Sequence, residues 1–187
     1  DYWDGDILWV TPKDLSNLQG TFISETANTI TQKGLASCSA TILPPDSVLF
    51  SSRAPIGLLA INTVPMCTNQ GFKSIVPNKD KVNSQYLYYL LKSKKRYLNS
   101  IGNGATFKEL SKDVFSKVTI PLPPLEDQVR IATVLTRAEQ LIAKRKESIQ
   151  ALDALLKSTF LEMFGDPVRN EKGWERTIAI KYATCIV

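Results

Sequence analysis

Residues 125–164 read LEDQVRIATVLTRAEQLIAKRKESIQALDALLKSTFLEMF, a run with neither glycine nor proline. Two interleaved seven-residue tracks run through it. One is Ile131, Ala138, Arg145, Leu152 and Thr159; the other is Leu135, Ile142, Ile149, Leu156 and Met163. This is the 4,3 spacing of a coiled-coil seam, sustained for about four heptads. At about 1.5 Å rise per residue, the helix it predicts spans roughly 60 Å. Gly165 and Pro167 stop it, as a left-handed C-terminal residue and a helix breaker do. A seam of that length has to bury itself against another helix. The sequence supplies one such helix, so its partner is expected from a second copy of the chain or from a continuation of a longer one. Arg145 interrupts one track at its centre. A buried unpaired arginine is costly, so Arg145 is expected to meet an acid such as Glu139 or Glu147 of the partner helix, or to bend out to solvent.

With 187 residues, 43% of them hydrophobic, the chain allows one packed domain plus an appendage, or two small domains. The longest apolar stretch falls well short of a membrane span, and no secretory leader is visible. Cys38, Cys67 and Cys185 are odd in number and scattered, which predicts a protein of a reducing cytoplasm. Residues 1–122 carry thirteen basic and nine acidic groups, residues 123–187 ten and nine. The basic excess therefore sits on the first part, which suits a polyanionic partner. There is no histidine, which excludes Ser–His–Asp and Cys–His nucleophile systems and histidine-based metal sites. No Cys-x-x-Cys, dinucleotide-binding or phosphate-loop motif occurs. The expectation is a protein with no catalytic residues, no metal and no cofactor of its own.

Ahead of the long helix, Ile7–Val10 reads as a strand and Thr11-Pro12-Lys13-Asp14 as a capped helix start. Short strands are expected at Thr21–Ser24, Ser47–Ser52, Gly57–Ile61, Phe72–Val76 and Val118–Ile120. They are separated by turn signals at Lys33-Gly34, Pro44-Pro45-Asp46, Pro55 and Pro77-Asn78. Asn83 or Ser84 caps one helix carrying Leu87, Leu90, Leu91 and Leu98, with Lys92, Lys94, Lys95 and Arg96 in its second half. Those cations suit either a helix C-terminus or a phosphate-facing patch. A one-turn helix is expected near Ser111–Phe115. The fold class is therefore α+β: a mostly β globular domain over residues 1–122 and a long helix over 123–165. Residues 166–187 are either the start of a following unit or a tail that completes a sheet, with Ile178-Ala179-Ile180 as its strand.

Several segments together resemble the specificity subunits of type I restriction–modification systems. Pro44 through Gly57, PPDSVLFSSRAPIG, is similar to one signature of their target-recognition domains. Thr68 through Lys73, TNQGFK, and Gly104 through Leu110, GATFKEL, are similar to two more. Ile120 through Gln128, IPLPPLEDQ, resembles the junction into that family's helical region, and Met163 through Pro167 followed by Gly173-Trp174 resembles its exit. Any one motif is weakly specific; five in order along nearly the whole chain are strong.

The resemblance implies a sequence-specific, double-stranded-DNA-reading subunit with no catalytic site of its own. Its helix would pair antiparallel as a spacer and dock methyltransferase subunits, which hold S-adenosylmethionine and modify adenine; restriction subunits would cleave the DNA. A full subunit of the family has two recognition domains and two such helices, and this chain has one of each. It is thus expected as a half-size subunit forming a homodimer or as part of a longer chain. Two other readings stay open: the recognition region of a single-chain restriction–methylation enzyme, and a coiled-coil dimerisation module with no DNA role.

Candidate DNA contacts follow from side-chain chemistry. Arg53 offers a planar donor fork suited to guanine or phosphate; it would equally tie a prolyl turn through carbonyl hydrogen bonds. Asn69 and Gln70 suit adenine edges, or buried backbone in a tight crossing beside Gly71. Lys73, Lys108 and the Thr106 hydroxyl are candidate phosphate contacts, which position without specifying. Lys33 is expected in an exposed loop, as a contact or as a solvated lysine. Base specificity is expected in the loops least like the family signatures, Thr26–Ser39 and Asn78–Ser84. The helix interface is expected to comprise Ile131, Leu135, Ala138, Ile142, Arg145, Ile149, Leu152, Leu156 and Met163.

Overall fold

A computed structural model describes residues 1–53, 55–104, 108–178 and 181. The chain forms two compact units, Asp1–Thr136 and Arg137–Val187.

In the first unit, β1 (Trp3–Val10) leads into α1 (Pro12–Asn17), followed by β2 (Phe22–Ile23), β3 (Asn28–Ile30) and α2 (Gln32–Ala36). Then come β4 (Val48–Phe50), β5 (Leu59–Asn62) and β6 (Cys67–Thr68). The strands build two three-stranded sheets. In one, β1 lies between antiparallel β3 and parallel β6. In the other, β5 lies between parallel β2 and antiparallel β4. The helical part comprises α3 (Ser84–Ser93), α4 (Lys95–Ser100), α5 (Lys112–Ser116) and the long α6 (Leu125–Phe164). The α+β class read from the sequence is the observed one, and α6 has the bounds its punctuation predicts.

Local chemistry explains the helix starts. Asn83 Oδ1 accepts from the Tyr86 N–H at 2.9 Å and Ser111 Oγ from the Val114 N–H at 3.3 Å, satisfying otherwise orphaned donors. Tyr86, Leu87 and Leu91 of α3 pack with Val48, Phe50 and Ile61 of the second sheet in the main core. Phe115 of α5 stacks on Phe50, with ring centroids 4.8 Å apart.

The start of α6 is fixed by a buried polar residue. Gln128 is fully buried; its amide donates to Lys81 O at 2.9 Å and Pro123 O at 2.8 Å. Its carbonyl accepts from the Asn83 N–H at 2.9 Å. Tyr86 donates its hydroxyl to Pro121 O at 2.9 Å, and Tyr89 and Thr136 hydroxyls lie 3.1 Å apart. Thus the same asparagine that caps α3 also gives its N–H to α6.

Four expectations are corrected. Lys33-Gly34 is not a loop turn but part of α2, because Thr31 Oγ1 caps that helix by accepting from the Gly34 N–H at 3.0 Å. Gly34 is needed there for close packing: a Cβ would lie 2.4 Å from Tyr2 O. Phe72–Val76 is not a continuous strand; it touches the sheet by bridges at Phe72 and Ile75. Val118–Ile120 forms no strand; its apolar side chains pack against the main core while Pro121, Pro123 and Pro124 deny the following backbone its donors. The helix expected to run from Asn83 past Leu98 is two, α3 and α4, with Lys94 as C-cap of one and N-cap of the other.

In the second unit, every residue of α6 from Leu141 to Phe164 is exposed. The helix ends where Gly165 takes φ +75 and donates its N–H to Leu161 O at 2.8 Å. Lys172 Nζ donates to the carbonyls of Glu162 and Met163, and Trp174 Nε1 to Phe164 O at 2.8 Å. Carbonyls that a helix leaves open are thereby satisfied by the segment that follows it. Of the strand expected at Ile178–Ile180, Ile178 is exposed and the rest lies outside the described residues.

Candidate nucleic-acid interface

Three segments far apart in sequence meet at one end of the second sheet, and Ser52 is the joint. Its N–H and hydroxyl both donate to Gly71 O, at 2.7 and 3.0 Å. Its carbonyl accepts from the Leu110 N–H at 2.8 Å. Lys73 N–H donates to Phe50 O at 2.9 Å, and Asn103 and Glu109 exchange backbone hydrogen bonds at 2.9 and 2.8 Å. The three segments are the ones that resemble the family's recognition-domain signatures.

The loop carrying Arg53 is closed by Ser51. That residue's hydroxyl donates to Pro55 O at 2.7 Å and accepts from the Leu58 N–H at 2.8 Å. Gly57 at φ +89 completes the turn, and a Cβ there would lie 2.9 Å from the Lys95 side chain. Asn99 of α4 also donates to Ile56 O at 3.2 Å, so α4 and its cations border this loop. With Ser51 tying the turn, Arg53 faces an acid instead: its Nε lies 3.0 Å from Glu109 Oε2. Lys73 Nζ lies 3.8 Å from the other oxygen of that carboxylate. Arg53 is half-exposed, at 48% of its side chain. Asn69 turns inward on its own backbone, its Oδ1 accepting from the Gly71 N–H at 3.0 Å. Gln70 and Lys108 are exposed.

Arg53, Asn69, Gln70 and Lys73 therefore share one surface, with Lys108 adjoining Glu109 in the chain. Thr106 lies outside the described residues. Lys33 belongs elsewhere, on α2 beside the first sheet, with its ammonium 5.7 Å from the centre of the Tyr2 ring. Sequence reasoning quoted Glu109 within a motif but gave it no role. An acid directly after the candidate contact Lys108 was the available signal.

The second surface is the exposed band of α6. Ile131, Leu135, Ala138, Ile142, Arg145, Ile149, Leu152, Leu156 and Met163 are all exposed. Val134, Leu141 and Leu155, exposed by 60%, 68% and 59%, form a third track that the two-track reading missed. Their offset of three residues from Ile131, Ala138 and Leu152 was legible in the spacing.

Comparison with known proteins gives the family. Residues 1–153 match the family model described as the type I restriction modification DNA specificity domain. The chain belongs to that family. It is 43% identical over 192 residues to the type I restriction enzyme MjaIX specificity subunit of Methanocaldococcus jannaschii, covering 94% of this chain and 44% of that protein. It is 26% identical over 163 residues to the HindI specificity subunit of Haemophilus influenzae, covering 83% and 35%. This specificity-domain chain thus spans less than half the length of these curated relatives. Among solved structures, a chain of a type I R-M system superposes with a TM-score of 0.66 at 26% identity, covering 85% of this chain and 37% of that one. The HsdS subunit of Thermoanaerobacter tengcongensis shares the fold, with a TM-score of 0.60 at 24% identity over 77% and 32%.

Proposed function

We propose that this chain recognises double-stranded DNA for a type I restriction–modification complex. The observation that carries the reading is the convergence of the three signature segments on one cationic surface within a specificity-domain fold. Arg53 and the exposed Gln70 would read base edges. Lys73 and Lys108, with Thr106, would meet phosphates; Asn69 would hold the turn that presents them, and Lys33 would extend the contact from α2. The chain would have no catalytic site or cofactor of its own. Methyltransferase subunits carrying S-adenosylmethionine would modify adenine, and restriction subunits would cleave.

The test is fluorescence anisotropy of the chain with random duplex at 50 and 200 mM salt. Affinity is expected to fall by one to several orders of magnitude, as counterion release requires for several phosphate contacts. Affinity that does not respond to salt defeats the reading.

The exposed band of α6 would pair antiparallel with a second helix of its own kind, from another copy or from the rest of a longer chain. The helix would then set the spacing between two recognition domains. Burying seven large apolar seam residues, at about 1.5–3 kcal/mol each, strongly favours such pairing.

A further inference from the structure

The ion pair at the joint of the three segments has a chemical consequence for what Arg53 can bind. A half-exposed pair of this kind contributes little to stability, and the backbone bonds around Ser52 already hold the segments together. The carboxylate therefore has little structural work to do. Its position matters more: Glu109 Oε2 sits at Nε, 3.0 Å away, on the inner side of the guanidinium. A carboxylate there fixes the plane of the group and leaves the outer pair of amino nitrogens as the edge that donates. It also offsets part of the charge that would draw Arg53 to a phosphate. What stays attractive to that edge is a neutral, planar pair of acceptors.

We propose that Glu109 is a positioning residue that makes Arg53 a reader of the N7 and O6 edge of guanine in the major groove. This deepens, and rests on, the DNA-recognition reading above. Guanine is the base that presents two adjacent acceptors on that edge, and a bidentate arginine contact discriminates by about tenfold to a hundredfold. A phosphate would meet Glu109 as a like charge. Contacts to the DNA backbone fall instead to Lys73, to the exposed Lys108 and to the cations of α4 beside the same loop.

The experiment is selection of bound duplexes from a randomised pool by the full 187-residue chain, its Glu109→Gln variant and its Arg53→Lys variant. It is followed by anisotropy on the enriched duplex and on random duplex. The wild-type chain is expected to enrich a site with a fixed G·C pair, and both variants to lose the preference at that pair by at least about tenfold. Placing 7-deazaguanine there is expected to cost the wild-type chain as much as Arg53→Lys does. Glu109→Gln removes a negative charge, so its affinity for random duplex is expected to rise while its selectivity falls, with a salt slope steeper by about one. A merely structural role would weaken both duplexes together, and that result overturns the proposal. So does an unchanged preference in Glu109→Gln, or an Arg53→Lys variant that weakens all sequences equally, which marks a phosphate contact. A wild-type chain that binds no duplex defeats the DNA reading itself, and this inference with it.

Discussion

The two halves of α6 carry the same apolar spacing and have different surroundings. The first turns bury Gln128 and Ala132 against α3 and the prolyl segment. From Leu141 onward every residue is exposed, including Leu141, Leu152, Leu155 and Leu156 at 59–70%. The first half is helical because a folded domain holds it. The second half has no such support among the described residues, and isolated helices of its length are marginal in water. The difference teaches that an apolar helical band left open beside an anchored one is an interface, and that anchor and interface can be broken separately.

The largest effect is expected where the band is widest. Leu152→Asp with Leu156→Asp places two charges on the seam, at a loss of about 1.5–3 kcal/mol per buried leucine. Sedimentation of the wild-type chain alone is expected to give a dimer mass, and the double variant a monomer mass with the melting of the first unit unchanged. A wild-type chain that stays monomeric at high concentration removes pairing with a second copy and leaves only a helix from a longer chain. A variant that also unfolds the first unit erases the distinction between the halves.

Next in size is the anchor. Gln128→Leu leaves the Asn83 N–H and the carbonyls of Lys81 and Pro123 without their buried partner. At about 1–3 kcal/mol for each stranded group, less relaxation, a loss of about 2–4 kcal/mol is expected in urea unfolding. Assembly measured at a temperature where the first unit stays folded should be retained. A loss under about 0.5 kcal/mol would show that the first half is held no better than the second.

How much of this was legible follows the same division. The bounds of α6 are written locally, in Pro124 before it and Gly165 after it, and the coiled-coil spacing needs no tertiary knowledge. The starts of α1, α3 and α5 are likewise written in their caps. The strands β3 and β6 are two or three residues long and exist only through pairing with β1, which no local pattern announces. Gln128 shows the limit most clearly. It sits in a helix whose polar residues mostly face solvent, and two of its three partners lie 45 and 47 residues away. At the candidate interface, the signature segments could be quoted from the sequence. That Ser52 joins all three, and that Glu109 faces both Arg53 and Lys73, required the fold.

The smallest effect concerns a charge in the first unit away from α6. Asp14 closes the capping box of α1, its Oδ2 accepting from the Thr11 N–H at 2.7 Å and the Thr11 hydroxyl at 2.6 Å. Its Oδ1 accepts from the Ala27 N–H at 3.0 Å. Burial alone would raise its pKa, but these hydrogen bonds outweigh it and hold the carboxyl below the ordinary aspartate value. A carboxyl depressed in the folded state binds its proton more readily when unfolded. Its stabilisation is therefore complete above the ordinary value of about 3.9 and is lost as pH falls through the lower, folded one. Asp14→Asn cannot titrate, so it should be less stable than wild type by about 0.3–1 kcal/mol at neutral pH. That gap should close below about pH 4, while assembly through α6 stays equal in the two proteins at every pH where both are folded. A gap that instead widens on acidification would reverse the sign of the Asp14 shift. A change in assembly would mean that the capping box of α1 reaches the exposed half of the helix, and the two regions would then not be separable.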